Sequence, residues 1–323
     1  PVAYGSDLLV WAKHRAREPQ AVVDLTGIEE LSRIEEREEG LAIGAATSLG
    51  TLGRAKELVR YPALAGAITS MGSVQLREGA SFGGNVCTAS PAGDTGPPLL
   101  VHGARMIIAA AKGRREISAA DFYLGPGQSA LGDGELLVEV VLPWPREGAA
   151  GTYLKGARRQ AVDLALVSVA ATAWRDDASK SGYDGAVALG AVAPTPIRAG
   201  DVEALLREEG LGAGSALVAA AAQASASPID DVRASAAYRL ELVGVLAAKA
   251  VRELATTLEA TRCRCSVLSM SPASDTRSPS SRRPPSSRRS GTTSASRARS
   301  AAATWGTAAR ARSSSMGVPG CPA

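Results

Sequence analysis

The sequence predicts an α+β chain, with two folded regions followed by a tail of different character. Three observations support this. Short β-type runs and helical segments alternate before residue 148, longer β-type runs and then three helical segments follow, and the charge balance changes abruptly at Thr261. A chain of 323 residues with 45% hydrophobic content can fill two cores.

In the first region "AVVDL" (21–25) and "LAIGA" (41–45) read as short strands. "TSLGTLGRAKEL" opens with the N-cap candidates Thr47 and Ser48, and "PALAGAITSMG" reads as the next helix. "ARMIIAAA" and "RREIS" bracket Lys112-Gly113 as a hairpin, and the prolines of "ELLVEVVLPWP" stop a strand. Residues 1–147 therefore read as an α+β or α/β domain. Residues 148–259 read as a smaller α+β domain. Its last helix places Ala237, Leu240, Val243, Gly244, Ala247, Val251 and Leu254 on one face, with Arg239, Glu241, Lys249 and Arg252 mostly elsewhere. The chain opens on Pro1, with no initiator methionine, and is expected to be a fragment lacking its natural N-terminus.

The formal net charge is +4, yet the residues from Thr261 onward hold eleven arginines against the single Asp275. The tail thus carries about +10 and the body about −6, so the body's charge gives no support to nucleic-acid or membrane affinity. Cys87 stands alone in the body, while Cys263, Cys265 and Cys321 lie in the tail. That is no disulfide framework and suits a reducing, cytoplasmic setting. No apolar run reaches membrane-spanning length.

The segment most suggestive of chemistry is "SFGGNVCTASPAGD" (81–94). Gly83 and Gly84 can take positive φ, so that successive amides turn inward as an anion nest, with Asn85 and the Ser81 hydroxyl beside them. Taken alone, Gly-Gly-Asn reads as a turn. The continuation favours a ligand loop: Ser90-Pro91 would cap a helix and put Asp94 in its first turn, within reach of a ribose hydroxyl. "AYGSDLL" (3–9) has the same character, with Gly5 and Ser6 ahead of a helix from Asp7 to Lys13, although an ordinary N-cap explains it equally. His14 and His102 read as surface or satisfied structural residues, and Cys87 as a small buried side chain. "GLGAGSAL" (210–217) lacks a preceding strand and reads as a loop-to-helix junction.

These segments resemble, in order, the FAD-binding medium subunit of the molybdenum hydroxylases. This family includes xanthine dehydrogenase, carbon monoxide dehydrogenase, nicotinate dehydrogenase and 4-hydroxybenzoyl-CoA reductase relatives. Ala3 to Leu9 resembles the family's Ala-Gly-Gly-x-Ser/Thr motif followed by Asp-Leu-Leu, with Tyr4 in place of the first glycine. Ser81 to Asn85 and Ala89 to Asp94 resemble its Gly-Gly-Asn and Ala-Ser-Pro-x-x-Asp motif. "ELLVEVVLP" resembles the strand that lays a leucine, here Leu137, beside the flavin. "YLKGARRQAVD" resembles the segment contributing a lysine, here Lys155. The likeness covers about residues 1–258.

The resemblance implies a vanillyl-alcohol-oxidase (PCMH)-type FAD-binding domain and a CO-dehydrogenase-flavoprotein-type C-terminal domain. It also implies an FAD oxidoreductase subunit that passes electrons from [2Fe-2S] clusters to NAD or another acceptor. An iron–sulfur small subunit and a molybdopterin large subunit would complete a heterotrimer able to dimerise. On this reading FAD pyrophosphate lies on the amides of Gly83, Gly84 and Asn85, with Gly5, Ser6 and Asp7 on its other side. Asp94 holds a polar part of the nucleotide, and Leu137 and Lys155 lie near the flavin or its chain. No general base is required. Two alternatives remain: a stand-alone FAD oxidoreductase of this fold, and a non-catalytic nucleotide-binding or assembly protein.

The tail from 260 onward, poor in apolar anchors, is expected to be disordered. It also reads as a shifted frame. With GC-rich codons each started one nucleotide earlier, residues 297–319 can be back-translated to "TGTKRGCDMGDCGACTVLVDGRP", which has the plant-type [2Fe-2S] spacing C-x4-C-x2-C.

Overall fold

The computed structural model describes residues 1–14 and 19–269, with side chains up to 260. Eleven strands are described: β1 (Ile34–Arg37), β2 (Gly40–Gly44), β3 (Arg105–Ala110), β4 (Gly113–Ser118), β5 (Tyr123–Gly125), β6 (Gln128–Ser129), β7 (Leu136–Pro143), β8 (Ala150–Gly156), β9 (Val167–Arg175), β10 (Tyr183–Gly190) and β11 (Ile197–Arg198). The α-helices are α1 (Leu8–Lys13), α2 (Leu49–Arg54), α3 (Pro62–Ser70), α4 (Val74–Glu78), α5 (Phe82–Cys87), α6 (Gly96–Val101), α7 (Ala119–Phe122), α8 (Gly200–Glu209), α9 (Ser215–Ser225) and α10 (Ala236–Ser269).

Two main sheets organise these elements. The first has the order β1-β2-β7-β3-β4 and the second β11-β10-β9-β8, and every strand pair within them is antiparallel. The first region is therefore α+β and not α/β. One core cluster centres on Leu41, Ile43, Tyr61, Phe82, Met106 and Val140. A second lies between the β8–β11 sheet and α8, α9 and α10, around Val169, Leu189, Leu206, Val243 and Val251.

The expected elements are largely present, with informative shifts. Ser48 caps α2 by accepting the Thr51 amide, and Pro62 opens α3. The β3–β4 turn is Ala111-Lys112, one residue earlier than expected, because Gly113 at φ +133° already pairs with Ala110. "AVVDL" is not a strand: only Asp24 makes an isolated parallel bridge, to Val2. Val22 and Val23 remain more than half exposed, so no buried face holds them extended.

On α10, Val243, Gly244, Ala247, Val251 and Leu254 are buried as expected, but Ala237 is exposed. Arg239 points inward, 3% exposed, and donates to the Leu166 and Ala191 carbonyls. Those two carbonyls, together with Asp231 at 2.7 Å, compensate its buried charge. The tail expected from 260 begins as a continuation of α10 to Ser269, because no Gly or Pro interrupts the chain before Pro272. The remainder of the expected disorder, and the shifted frame, lie outside the described residues.

Candidate functional site

Several of the residues singled out in the sequence converge on one hydrogen-bonded cluster around α5. Ser81, only 7% exposed, caps this helix with its side chain, which accepts the Gly84 amide at 3.1 Å. The Thr88 hydroxyl lies 2.9 Å from both the Asp7 carboxylate and the Gly84 carbonyl, which ties the N-terminal turn to α5. Thr95 donates to Asn85 Oδ1 at 2.7 Å. The neighbouring Asp94, 6% exposed, accepts from Lys155 Nζ at 2.8 Å and from the Tyr153 hydroxyl at 2.5 Å.

This Asp94–Lys155–Tyr153 group is polar chemistry placed in the interior. Burial pushes the Asp94 carboxyl above its ordinary value, against the opposing pull of the Lys155 ammonium and the Tyr153 hydroxyl. Burial likewise raises the Tyr153 phenol, with the Asp94 charge adding to it. Beside Lys155 a cleft of about 420 Å³ is lined by Ser70, Arg158, Arg159 and Asp163, a size within the usual range of ligand pockets.

The geometry corrects the expected amide nest. Neither Gly83 nor Gly84 takes positive φ, since both belong to the first turn of α5. Their amides are already bonded within the chain: Gly83 to the Ala45 carbonyl, Gly84 to Ser81 Oγ and Asn85 to the Ser81 carbonyl. Gly83 is a packing residue, because a Cβ there would stand 2.5 Å from Ala45 Cβ and 2.7 Å from the Ala45 carbonyl oxygen. Gly84, in contrast, is exposed. What α5 can offer a ligand is the bare surface of Gly84, the Asn85 amide nitrogen and the hydroxyl proton of Ser81. Among the described residues these two donors have no acceptor.

The N-terminal turn is the opposite case. Gly5 adopts φ +78°, the left-handed conformation, and its carbonyl accepts the Leu9 amide. The amides of Gly5, Ser6 and Asp7 have no acceptor among the described residues. Tyr4 is 41% exposed.

The remaining residues divide between expected and unexpected placements. Ser90-Pro91 forms a turn and not a helix cap. The next helix, α6, starts at Gly96 with prolines at its opening positions, so Asp94 precedes it. Leu137, expected beside a flavin, packs at 2% exposure in the core. Cys87 packs against that core, and burial pushes its thiol up to about 12. His102 is not satisfied: its Nε2 is buried without a partner. "GLGAGSAL" is a junction between α8 and α9, with a short 3-10 turn.

Sequence reasoning missed Tyr153, Thr95 and Thr88. A signal for Tyr153 was present: it stands two positions before Lys155 on a strand, so both side chains leave the same face.

Comparison with known proteins shows the family of the chain. Residues 1–145 match the FAD binding domain in molybdopterin dehydrogenase, and residues 152–254 match the CO dehydrogenase flavoprotein C-terminal domain. The chain is 31% identical over 256 residues to the putative xanthine dehydrogenase FAD-binding subunit XdhB of Escherichia coli (strain K12), covering 78% of this chain and 87% of that protein. It is 31% identical over 259 residues to the glyceraldehyde dehydrogenase medium chain of Sulfolobus acidocaldarius, covering 79% and 90%. Among solved structures, the cyanide-inactivated Cu,Mo-CO dehydrogenase superposes with a TM-score of 0.74 at 27% identity, covering 80% of this chain and 90% of that one. Quinoline 2-oxidoreductase from Pseudomonas putida 86 gives 0.73 at 26%, covering 80% and 89%. With an FAD-domain match over its first 145 residues and 31% identity along most of a xanthine dehydrogenase FAD subunit, the chain belongs to the FAD-binding subunits of the xanthine and carbon monoxide dehydrogenase family.

Proposed function

We propose that this oxidoreductase subunit holds FAD at the α5 cluster and works as the electron-transfer member of a molybdenum hydroxylase complex. It would stand between the [2Fe-2S] clusters of a small partner subunit and NAD or another acceptor, with a molybdopterin large subunit completing the assembly. The observation that supports this best is the convergence of unspent donors. The Gly5, Ser6 and Asp7 amides, the Ser81 hydroxyl and the Asn85 amide nitrogen come from two distant segments, yet one hydrogen bond, Thr88 to Asp7, joins those segments.

The residues present fit an anionic, extended cofactor. In this reading the N-terminal amides and Ser81 bind the pyrophosphate, Asn85 donates beside it, and exposed Gly84 lets the ligand approach the backbone. Lys155 and Asp94 orient the polar chain of the nucleotide, and Tyr153 keeps Asp94 in place. Gly83 and Leu137 support the site from the core. FAD, when bound, supplies the redox chemistry, while the chain binds, orients and shields it.

Flavin-free protein titrated with FAD, followed by flavin fluorescence, tests the binding step. Tight binding in the parent and at least tenfold weaker binding in Asn85→Asp, which keeps the oxygen that accepts from Thr95 and removes the amide donor, is the expected result. No binding by the parent overturns the reading. Reduction of a co-expressed iron–sulfur partner by NADH, followed by electron paramagnetic resonance, tests the transfer step. Turnover of a small molecule by this chain alone would replace it with a stand-alone oxidoreductase.

A further inference from the structure

Arg239 on α10 carries a charge at 3% exposure, and its surroundings do not make it a source of stability. Its Nε has no acceptor. Asp231, 2.7 Å from Nη2, is already held by the Arg233 side chain and by the amides of Arg233 and Ala234. A buried ion pair with an unmet donor stabilises little, so the arginine has to be explained by what its other nitrogen holds. Nη1 donates to two carbonyls, Leu166 and Ala191, each at 3.0 Å.

Both carbonyls lead to the Asp94–Lys155 pair. Leu166 immediately precedes β9, and its amide donates at 2.8 Å to the carbonyl of Gly156, the residue after Lys155. Ala191 immediately follows β10, and its amide donates at 2.7 Å to the carbonyl of Pro91, three residues before Asp94. Ala191 holds φ +61°, a left-handed conformation that a residue with a Cβ keeps only where its surroundings impose it. Ala92, Ala165 and Ala191 form a small buried cluster, so the Pro91–Asp94 turn, the approach to β9 and the end of β10 pack together. One guanidinium nitrogen thus grips, through one residue on each side, the backbone that carries the acid and the backbone that carries the ammonium.

We propose that Arg239 is a positioning residue for this buried pair. It fixes the separation between the Pro91–Asp94 turn and the Lys155–Gly156 end of β8, and with it the contact of Asp94 and Lys155. The two N–H bonds of Nη1 diverge at a fixed angle, which an ammonium on a flexible stem would not impose. The last helix of the second region therefore acts on the cofactor region through two carbonyls. The effect on the ion pair belongs to the fold alone, whereas an effect on FAD rests on the cofactor lying at the α5 cluster.

A double-mutant cycle on the purified full chain, read by chemical denaturation, tests the proposal. Lys155→Met should lower the folding constant of the parent, and by a factor at least about fivefold smaller in an Arg239→Met background, where the pair is no longer held in register. A difference below about fivefold means that the two sites act independently, and overturns the proposal. Should the double variant not fold, Arg239→Lys takes the place of Arg239→Met under the same criterion, since it keeps a charge beside Asp231 and gives up the fixed fork. FAD titration gives a second reading. Arg239→Met should weaken binding about fivefold under conditions where it stays folded, whereas Val251→Ala, which opens a cavity under the same helix, should leave affinity within about twofold. Equal weakening in both makes Arg239 a structural residue only, and equally overturns the proposal. Absence of FAD binding by the parent overturns the cofactor assignment, and the cycle then decides the proposal by itself.

Discussion

The two glycine-bearing segments of the proposed cofactor region look alike in sequence but are built differently. Ser81 to Asn85 is a capped helical turn whose backbone donors are spent on Ala45 and Ser81, with Gly83 pressed against Ala45. Tyr4 to Asp7 is a left-handed turn at Gly5 with its amides unspent, leading into a helix that has no buried residue. A glycine can serve close packing or conformational freedom, and here the two segments divide those uses between them. The first segment spends its backbone on the fold and keeps only side-chain donors, and the second leaves its backbone donors free.

Substitutions can break that contrast. The largest effect is expected at the support of the first segment: Lys155→Met strands the buried Asp94 and should cost about 3–5 kcal/mol in chemical denaturation. The Asp94 carboxyl is already raised by burial and would lose the ammonium that opposes this. The folded state then favours the protonated acid. The deficit should therefore shrink at low pH and grow as pH rises through the folded-state value.

Gly83→Val should cost about 3 kcal/mol, because the Ala45 backbone 2.7 Å from the new Cβ cannot move aside. The loss should appear as a lower melting temperature, and any flavin loss should track unfolding. Flavin loss with an unchanged melting temperature would make Gly83 a ligand contact and erase the contrast.

Gly5→Ala should do the reverse. Left-handed strain of about 1 kcal/mol at a peripheral turn leaves global melting nearly unchanged, while FAD affinity falls about tenfold. Affinity within twofold of the parent would remove the N-terminal amides from the site. The smallest effect is expected for Ser81→Ala: about 1 kcal/mol of stability from the lost cap, read by denaturation, with a fall of a few-fold in FAD affinity from the lost hydroxyl donor.

The sequence made the fold largely legible, because local signals dominate it. Pro62 opens a helix, Ser48 caps one, prolines end β7, and the β-type runs of β9 and β10 read directly as strand. "AVVDL" misled because its β-branched residues have high strand propensity but no sheet to join. At the site, the residue types were visible and their duties were not. The acceptors that use up the Gly83 and Phe82 amides are the Ala45 and Thr47 carbonyls, far upstream, and no local pattern reveals such pairings. Arg239 reads as an outward charge on a helical wheel and is buried because two distant carbonyls receive it.

The ion pair between Asp94 and Lys155 has a practical consequence for dissecting the protein. Asp94 lies within the stretch matched by the FAD-domain family, and Lys155 lies beyond its last matched residue, 145, on a strand of the other sheet. Cutting the chain between the two family matches would remove β8 and leave Asp94 without both Lys155 and Tyr153. A minimal flavoprotein ending at residue 145 would carry an orphaned acid in its interior, so the shortest useful fragment has to include β8 and the β9 strand that pairs with it.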